Sequence, residues 1–123
     1  MDLDELRELC LAFPGAVETF PFSAGTPVYK VAGKIFALSL QREPLTVNLK
    51  CEPGLAEQLR EAHPEIAPGY HMSKRHWVSV MIEGGALSEQ MVHDLVEDSY
   101  DLIVASLPAK RRQALRWRGE PAA

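Results

Sequence analysis

Val28-Tyr29-Lys30-Val31-Ala32-Gly33-Lys34-Ile35-Phe36-Ala37-Leu38-Ser39-Leu40 holds two runs rich in β-branched and aromatic residues on either side of Ala32-Gly33. Gly33 can take the positive φ that a short turn demands, so 28–31 and 35–40 read as a β-hairpin. In the second run Phe36, Leu38 and Leu40 share one face, and Ile35, Ala37, Ser39 and Gln41 the other. Working outward, Thr46 to Lys50 and Trp77 to Ile82 also alternate with period two, and 17–22 reads as a further strand at an edge. Within 46–50, Val47 and Leu49 point one way and Thr46, Asn48 and Lys50 the other. Such half-apolar strands form an antiparallel sheet covered on one side only.

The covering comes from three helical patterns. Leu3, Leu6, Leu9, Cys10 and Phe13 recur at helical spacing over 2–12, with Asp2 as N-cap and Pro14-Gly15 as the stop. Pro53 opens a second helix with Leu55, Ala56, Leu59 and Ala62 on its apolar face, ended by Pro64. Ser88 caps a third, whose inner face is Val92, Leu95, Val96, Ser99, Leu102, Ile103 and Leu107, with Pro108 just beyond. The fold class is therefore α+β: two layers, an antiparallel sheet with helices on one face, in the order α-β(3-4)-α-β(1-2)-α. Residues 1–108 read as a single domain. Residues 109–123 read as a basic, flexible tail, with Lys110, Arg111, Arg112, Arg116 and Arg118 against Glu120.

Composition sets the outer bounds. With 123 residues, 46% hydrophobic and 24% charged, the chain is neither disordered nor fibrous. Its apolar runs are only a few residues long, so no membrane span is expected. The acidic start Met1-Asp2-Leu3-Asp4-Glu5 is unlike a secretory leader. Two cysteines, Cys10 and Cys51, are too few for a disulfide framework and read as reduced thiols of a cytoplasmic protein. The net charge of −4 is unevenly spread. Residues 83–107 hold six acids and no base, and the other two helical segments are acidic too. The strand segments lean basic through Lys30, Lys34, Lys50, Lys74 and Arg75. The expectation is a plate with one acidic and one mildly basic face, able to draw an anion despite its negative total.

Ile66-Ala67-Pro68-Gly69-Tyr70-His71-Met72-Ser73-Lys74-Arg75-His76-Trp77 is the stretch least like scaffold. Aromatics interleaved with cations suit nucleic acid, where cations meet phosphates and rings stack on bases. The same residues also suit plain packing of the loop on a sheet edge. His71 and His76 lie five apart across a loop-to-strand boundary, a spacing that matches no metal site, even with Cys51 added. There is no G-x-S-x-G elbow, P-loop or C-x-x-C, and the carboxylates fall on solvated helix faces. No catalytic residue, metal ligand or cofactor is nominated.

Several of these pieces together resemble the MmcQ/YjbR family of small bacterial proteins. They are Leu11-Ala12-Phe13-Pro14-Gly15-Ala16, Pro21-Phe22, Val47-Asn48-Leu49-Lys50-Cys51-Glu52-Pro53, Pro68-Gly69-Tyr70-His71-Met72, Lys74-Arg75-His76-Trp77 and Ser99-Tyr100-Asp101-Leu102-Ile103-Val104, covering about 1–115. Ser73 and Val78 stand where the resemblance implies asparagines. It implies a two-layer fold akin to secretion chaperones, no catalytic residues, and DNA binding through a pair of β wings. One wing would be the 28–38 hairpin with Lys30 and Lys34, and 71–77 would lie near the second.

Two functions follow. In the first, a non-enzymatic DNA-binding protein uses Lys30, Lys34, Lys50, Lys74 and Arg75 on phosphates, with His71, His76 and Trp77 beside them. In the second, a protein-binding module or homodimer uses the open sheet face, with Ala37, Ser39, Trp77 and Met81. A small-molecule sensor built on His71, His76 and Cys51 is a weaker third.

Overall fold

The computed structural model describes residues 1–40, 42–70 and 72–119, the last four by backbone alone. Helix α1 (Leu3–Leu11) leads into strands β1 (Ala16–Thr19), β2 (Val28–Val31), β3 (Lys34–Leu40) and β4 (Thr46–Lys50). Helix α2 (Pro53–Ala62), strands β5 (Ile66–Pro68) and β6 (Trp77–Met81), and helices α3 (Glu89–Ala105) and α4 (Ala109–Gly119) complete the chain. All six strands form one antiparallel sheet in the order β1-β2-β3-β4-β6-β5. The sequence-based fold class therefore holds, with β5 and α4 as additions.

Local chemistry explains the elements. Asp2 accepts from the Glu5 amide while Glu5 reaches back to the Asp2 amide, a reciprocal cap on α1. Ser88 caps α3 by accepting from Met91 N–H. Ala32 and Gly33 both have positive φ, 49° and 80°, so the β2–β3 turn has the handedness that suits a twisted hairpin.

One face of the sheet is buried under α1 and α3. Tyr29, Val31, Phe36, Ala37, Val47, Leu49, Val78 and Val80 meet Leu6, Cys10, Val92, Leu95, Val96, Tyr100 and Ile103 in one core. Phe13 stacks on Tyr100 at 4.7 Å, and Phe36 meets both rings edge-on.

The strict alternation expected for 35–41 breaks at one point. Tyr29 pairs with Ala37 but Lys30 pairs with Ile35, so Phe36 is an extra residue in β3. A bulge turns two consecutive side chains toward the same side, and Phe36 and Ala37 both enter the core. Ala37 and Ser39 are thus buried on the covered side and do not belong to the helix-free face. The β3–β4 ladder ends at the Ala37–Leu49 pair, so Phe36 O and Lys50 N–H lie just past its last rung. Ser99 of α3 fills the gap: its hydroxyl accepts from Lys50 N–H at 2.9 Å and donates to the Phe36 carbonyl at 2.6 Å.

The stretch read as a flexible tail is helical over Ala109–Gly119, and α4 packs on the chain corner at Gly15. Gly15 has φ +72°, and a Cβ there would run into Leu115. Arg112 donates to the carbonyls of Ala105 and Leu107, capping the end of α3, and Arg111 donates to Ala32 O. Among the described side chains of α4, Leu115 supplies the apolar anchor, and one anchor makes no periodic pattern.

Because Ser99 satisfies two backbone groups at once, Ser99→Ala is expected to destabilise the fold by about 2–4 kcal/mol. Urea unfolding should show a lower midpoint with an unchanged slope.

Candidate nucleic-acid interface

The other face carries no helix. By register it presents Val17 and Thr19 of β1, Val28 and Lys30 of β2, and Ile35, Leu38 and Leu40 of β3. Thr46, Asn48 and Lys50 of β4, and Trp77, Ser79 and Met81 of β6, complete it. The strand residues on this face include two lysines and no carboxylate. Glu18, the one acid on these strands, points to the covered side, where it pairs with Arg7 and accepts from the Tyr29 hydroxyl. The acids Asp4, Glu5 and Glu8 of α1 and Glu89, Asp94, Glu97, Asp98 and Asp101 of α3 are exposed on the opposite layer. Lys30 and Lys50 thus lie across the sheet from the acids of α1 and α3, while the basic helix α4 places Arg112 beside Glu97 and Asp101 of α3.

Lys30 and Lys50 lie near the same end of this face with β3 between them, so their backbones are about 10 Å apart. Lys50 pairs with Trp77, and the turn just before β6 brings Lys74 and Arg75 to that end as well. His76 N–H and Trp77 N–H both donate to Ser73 O, which closes the turn and leaves Lys74 and Arg75 exposed at its tip. Cys51 N–H donates to His76 O, tying the turn to the end of β4. Arg60 of α2 donates to Lys74 O at 3.1 Å. Between α2 and the tip runs an open cleft of about 460 Å³ lined by Pro53, Gly54, Glu57, Arg60, Lys74 and Arg75. Arg7–Glu18 is the only ion pair among the described residues, so none of these cations is neutralised by a described carboxylate.

Lys34 separates from the group. It pairs with Val31 on the covered side of the hairpin, and its ammonium donates to Ser106 at the end of α3. Nor does the β2–β3 turn project freely as a wing, since Arg111 of α4 binds its Ala32 carbonyl. His76 is exposed beside the cationic tip and Trp77 is half-buried. His71 lies outside the described residues.

A strap of backbone crosses the middle of the helix-free face. Tyr70 N–H donates to the Ser79 hydroxyl, Tyr70 O accepts from the Asn48 amide, and Ser79 donates to Asn48 Oδ1. Asn48 and Ser79 are buried, with every hydrogen-bonding atom of the trio's link matched. Gly69 is needed where the strap begins, because a Cβ there would sit 2.6 Å from that of Trp77. The Tyr70 ring is 50% exposed, and the Arg42 guanidinium lies 4.8 Å from its centroid. Arg42, Arg60 and Asn48 are the members that sequence reasoning missed. Arg42 meets Tyr70 only through the fold, whereas Arg60, the single base of an acidic helix, was a visible signal.

The described residues provide no activated nucleophile. Burial, and then the Glu18 carboxylate, pushes the Cys10 thiol up to about 12. Burial, with Asp98 and Glu52 adding repulsion, also raises that of Cys51. No three His, Cys, Asp or Glu side chains among the described residues converge as metal ligands. No described helix is long and apolar enough to cross a membrane.

Fold and site define a small α+β protein with an acidic helix layer and a helix-free cationic sheet face. The chain belongs to the YjbR family, whose model matches residues 11–102. It is 40% identical to the uncharacterised Escherichia coli O157:H7 protein YbdF over 92% of this chain and 95% of that one. It is 34% identical to the uncharacterised protein YjbR of Escherichia coli K12, over 94% of this chain and 98% of that one. The crystal structure of Deinococcus radiodurans protein DR2400 superposes with a TM-score of 0.85 at 38% identity, covering 92% of this chain and 86% of that one. A Pseudomonas syringae crystal structure gives a TM-score of 0.72 at 26% identity, over 83% of this chain and 98% of that one.

Both cysteines are buried and unpaired, so neither should react with a thiol reagent at mildly alkaline pH until the protein unfolds. The unfolded chain releases the Cys10 proton near its ordinary pKa of 9.0 and the folded chain only near 12. The unfolded state thus binds fewer protons in that window, and stability should fall as pH rises from 9 toward 12. Denaturant midpoints measured across that range check the sign.

Proposed function

We propose that this protein binds DNA, without catalysis, through the cationic end of its helix-free face. The observation that carries the reading is the charge layout. Lys30, Lys50, Lys74 and Arg75 gather at one end of a face to which the described strands present no carboxylate, while the acids of α1 and α3 occupy the opposite layer. A phosphate backbone approaching that end meets cations that no described carboxylate neutralises. Lys34, turned to Ser106, drops out of the contact set, and Arg60 enters by holding the Lys74 tip. The two buried thiols fit a cytoplasmic setting, where they stay reduced.

Four phosphate contacts predict a slope of log affinity against log salt of roughly −3.6 on duplex, or about −2.8 on a single strand. Lys50→Glu should weaken binding and flatten that slope by about one. Absence of any complex at tens of micromolar protein in low salt would refute the reading.

A second reading, self-association, has its own support at a different place from the one the sequence suggests. The edge strand β1 and the chain beyond it leave Val17, Phe20 and Phe22 exposed, at 51%, 50% and 67%. The opposite edge, β5, is blunted by Pro68. Sedimentation velocity over a wide concentration range should then reveal a dimer that Phe22→Ser removes. A single 13.7 kDa species throughout would rule it out.

A further inference from the structure

We propose that the preferred ligand of this face is single-stranded DNA, with a base stacked on the Arg42–Tyr70 pair; this rests on the DNA-binding reading above. A protein that reads duplex commonly offers the major groove a helix or a projecting two-stranded ribbon. Here α1 and α3 lie on the acidic layer, on the far side of the sheet. The β2–β3 hairpin is no free ribbon either, since its turn carries α4 and its two lysines face opposite ways. What the cationic face offers instead is an aromatic platform, a ring carried on a backbone strap over the sheet.

That platform is built. The Tyr70 backbone is held on both sides, by Ser79 at its N–H and by Asn48 at its carbonyl, so the ring's place over the sheet is fixed from below. The ring remains half-exposed with a guanidinium laid on it. Aromatic rings and guanidinium planes stack on bases whose faces are uncovered, and a duplex keeps those faces hidden. Asn48, beneath the platform, and Lys50 are two residues apart on one strand, about 7 Å along it. A base on Tyr70 and a backbone phosphate on Lys50 can therefore belong to one short stretch of single strand. The cations of the 74–75 tip lie further along the same direction.

Fluorescence anisotropy with a labelled mixed-sequence strand of about 15 nucleotides, alone and annealed to its complement, tests this. The strand is expected to bind at least tenfold tighter than the duplex. Tyr70→Ala should weaken single-strand binding by about 5- to 150-fold, and Tyr70→Trp should retain it. The ring also carries Arg42, so the thermal midpoint of the alanine variant is measured by circular dichroism. Its binding is compared below that midpoint, where Asn48 and Ser79 still hold the Tyr70 backbone. Equal or tighter binding of the duplex, or indifference to Tyr70→Ala with Lys50→Glu still harmful, overturns the inference and leaves the DNA reading standing. Binding of neither form overturns both.

Discussion

A single buried hydroxyl joins the layers of this protein. Ser99, on the inner face of α3, stands where the β3–β4 ladder ends after the Ala37–Leu49 pair, and it takes up one donor and one acceptor of the sheet. Buried backbone groups left without partners cost more than a hydrogen bond returns, so this end of the two strands depends on that side chain. The donor is the amide of Lys50, and the next amide, Cys51, binds His76 O. The same short segment thus fixes the helix layer on one side and the cationic turn on the other. Packing and candidate site are coupled through two consecutive peptide groups.

The bulge in β3 acts on the hairpin. By inserting Phe36 it sends two neighbouring side chains into the core, while the two-residue turn, which pairs Val31 with Lys34, puts Lys30 on the helix-free face and Lys34 on the rim of the covered one. Lys34 then serves the end of α3 through Ser106. The cationic end is built from β2, β4 and the turn before β6, far apart in sequence, and not from the hairpin alone. A field assembled this way is modest in strength but directed, because the acids of α1 and α3 sit behind the sheet.

What was legible in the sequence follows from period and punctuation. The hairpin around Ala32-Gly33, the capped helices at Asp2 and Ser88, and the core side of 46–50 and 77–82 all obey regular spacing, and the structure has them. The side assignments of Ala37 and Ser39 were inverted because a period of two assumes an unbroken ladder, and nothing in Ile35-Phe36-Ala37 announces an extra residue. Strand β5 escaped notice because three residues ending in Pro68 show no alternation. Helix α4 escaped because the anchor among its described side chains, Leu115, is seated against Gly15 a hundred positions earlier. The placing of the α1 and α3 acids behind the sheet survived these errors, since it depends on which layer each helix joins and not on individual registers. The Arg42–Tyr70 pair could not be foreseen, because only the strap brings them together.

The strap explains why a face without helices still buries Asn48 and Ser79. Backbone laid over a sheet brings its own donors and acceptors, and an apolar floor would leave them unmatched. Asn48 and Ser79 answer Tyr70 group for group and each other as well. Helices need no such floor, since their backbone bonds are internal, which is why the opposite face is apolar where this one is polar at its centre. A polar floor in turn fixes one position for the strap, where a greasy one would tolerate sliding. The exposed ring of Tyr70 therefore has a defined place relative to Lys50, and a defined distance between an aromatic and a cation is what a stacking site for a charged polymer requires.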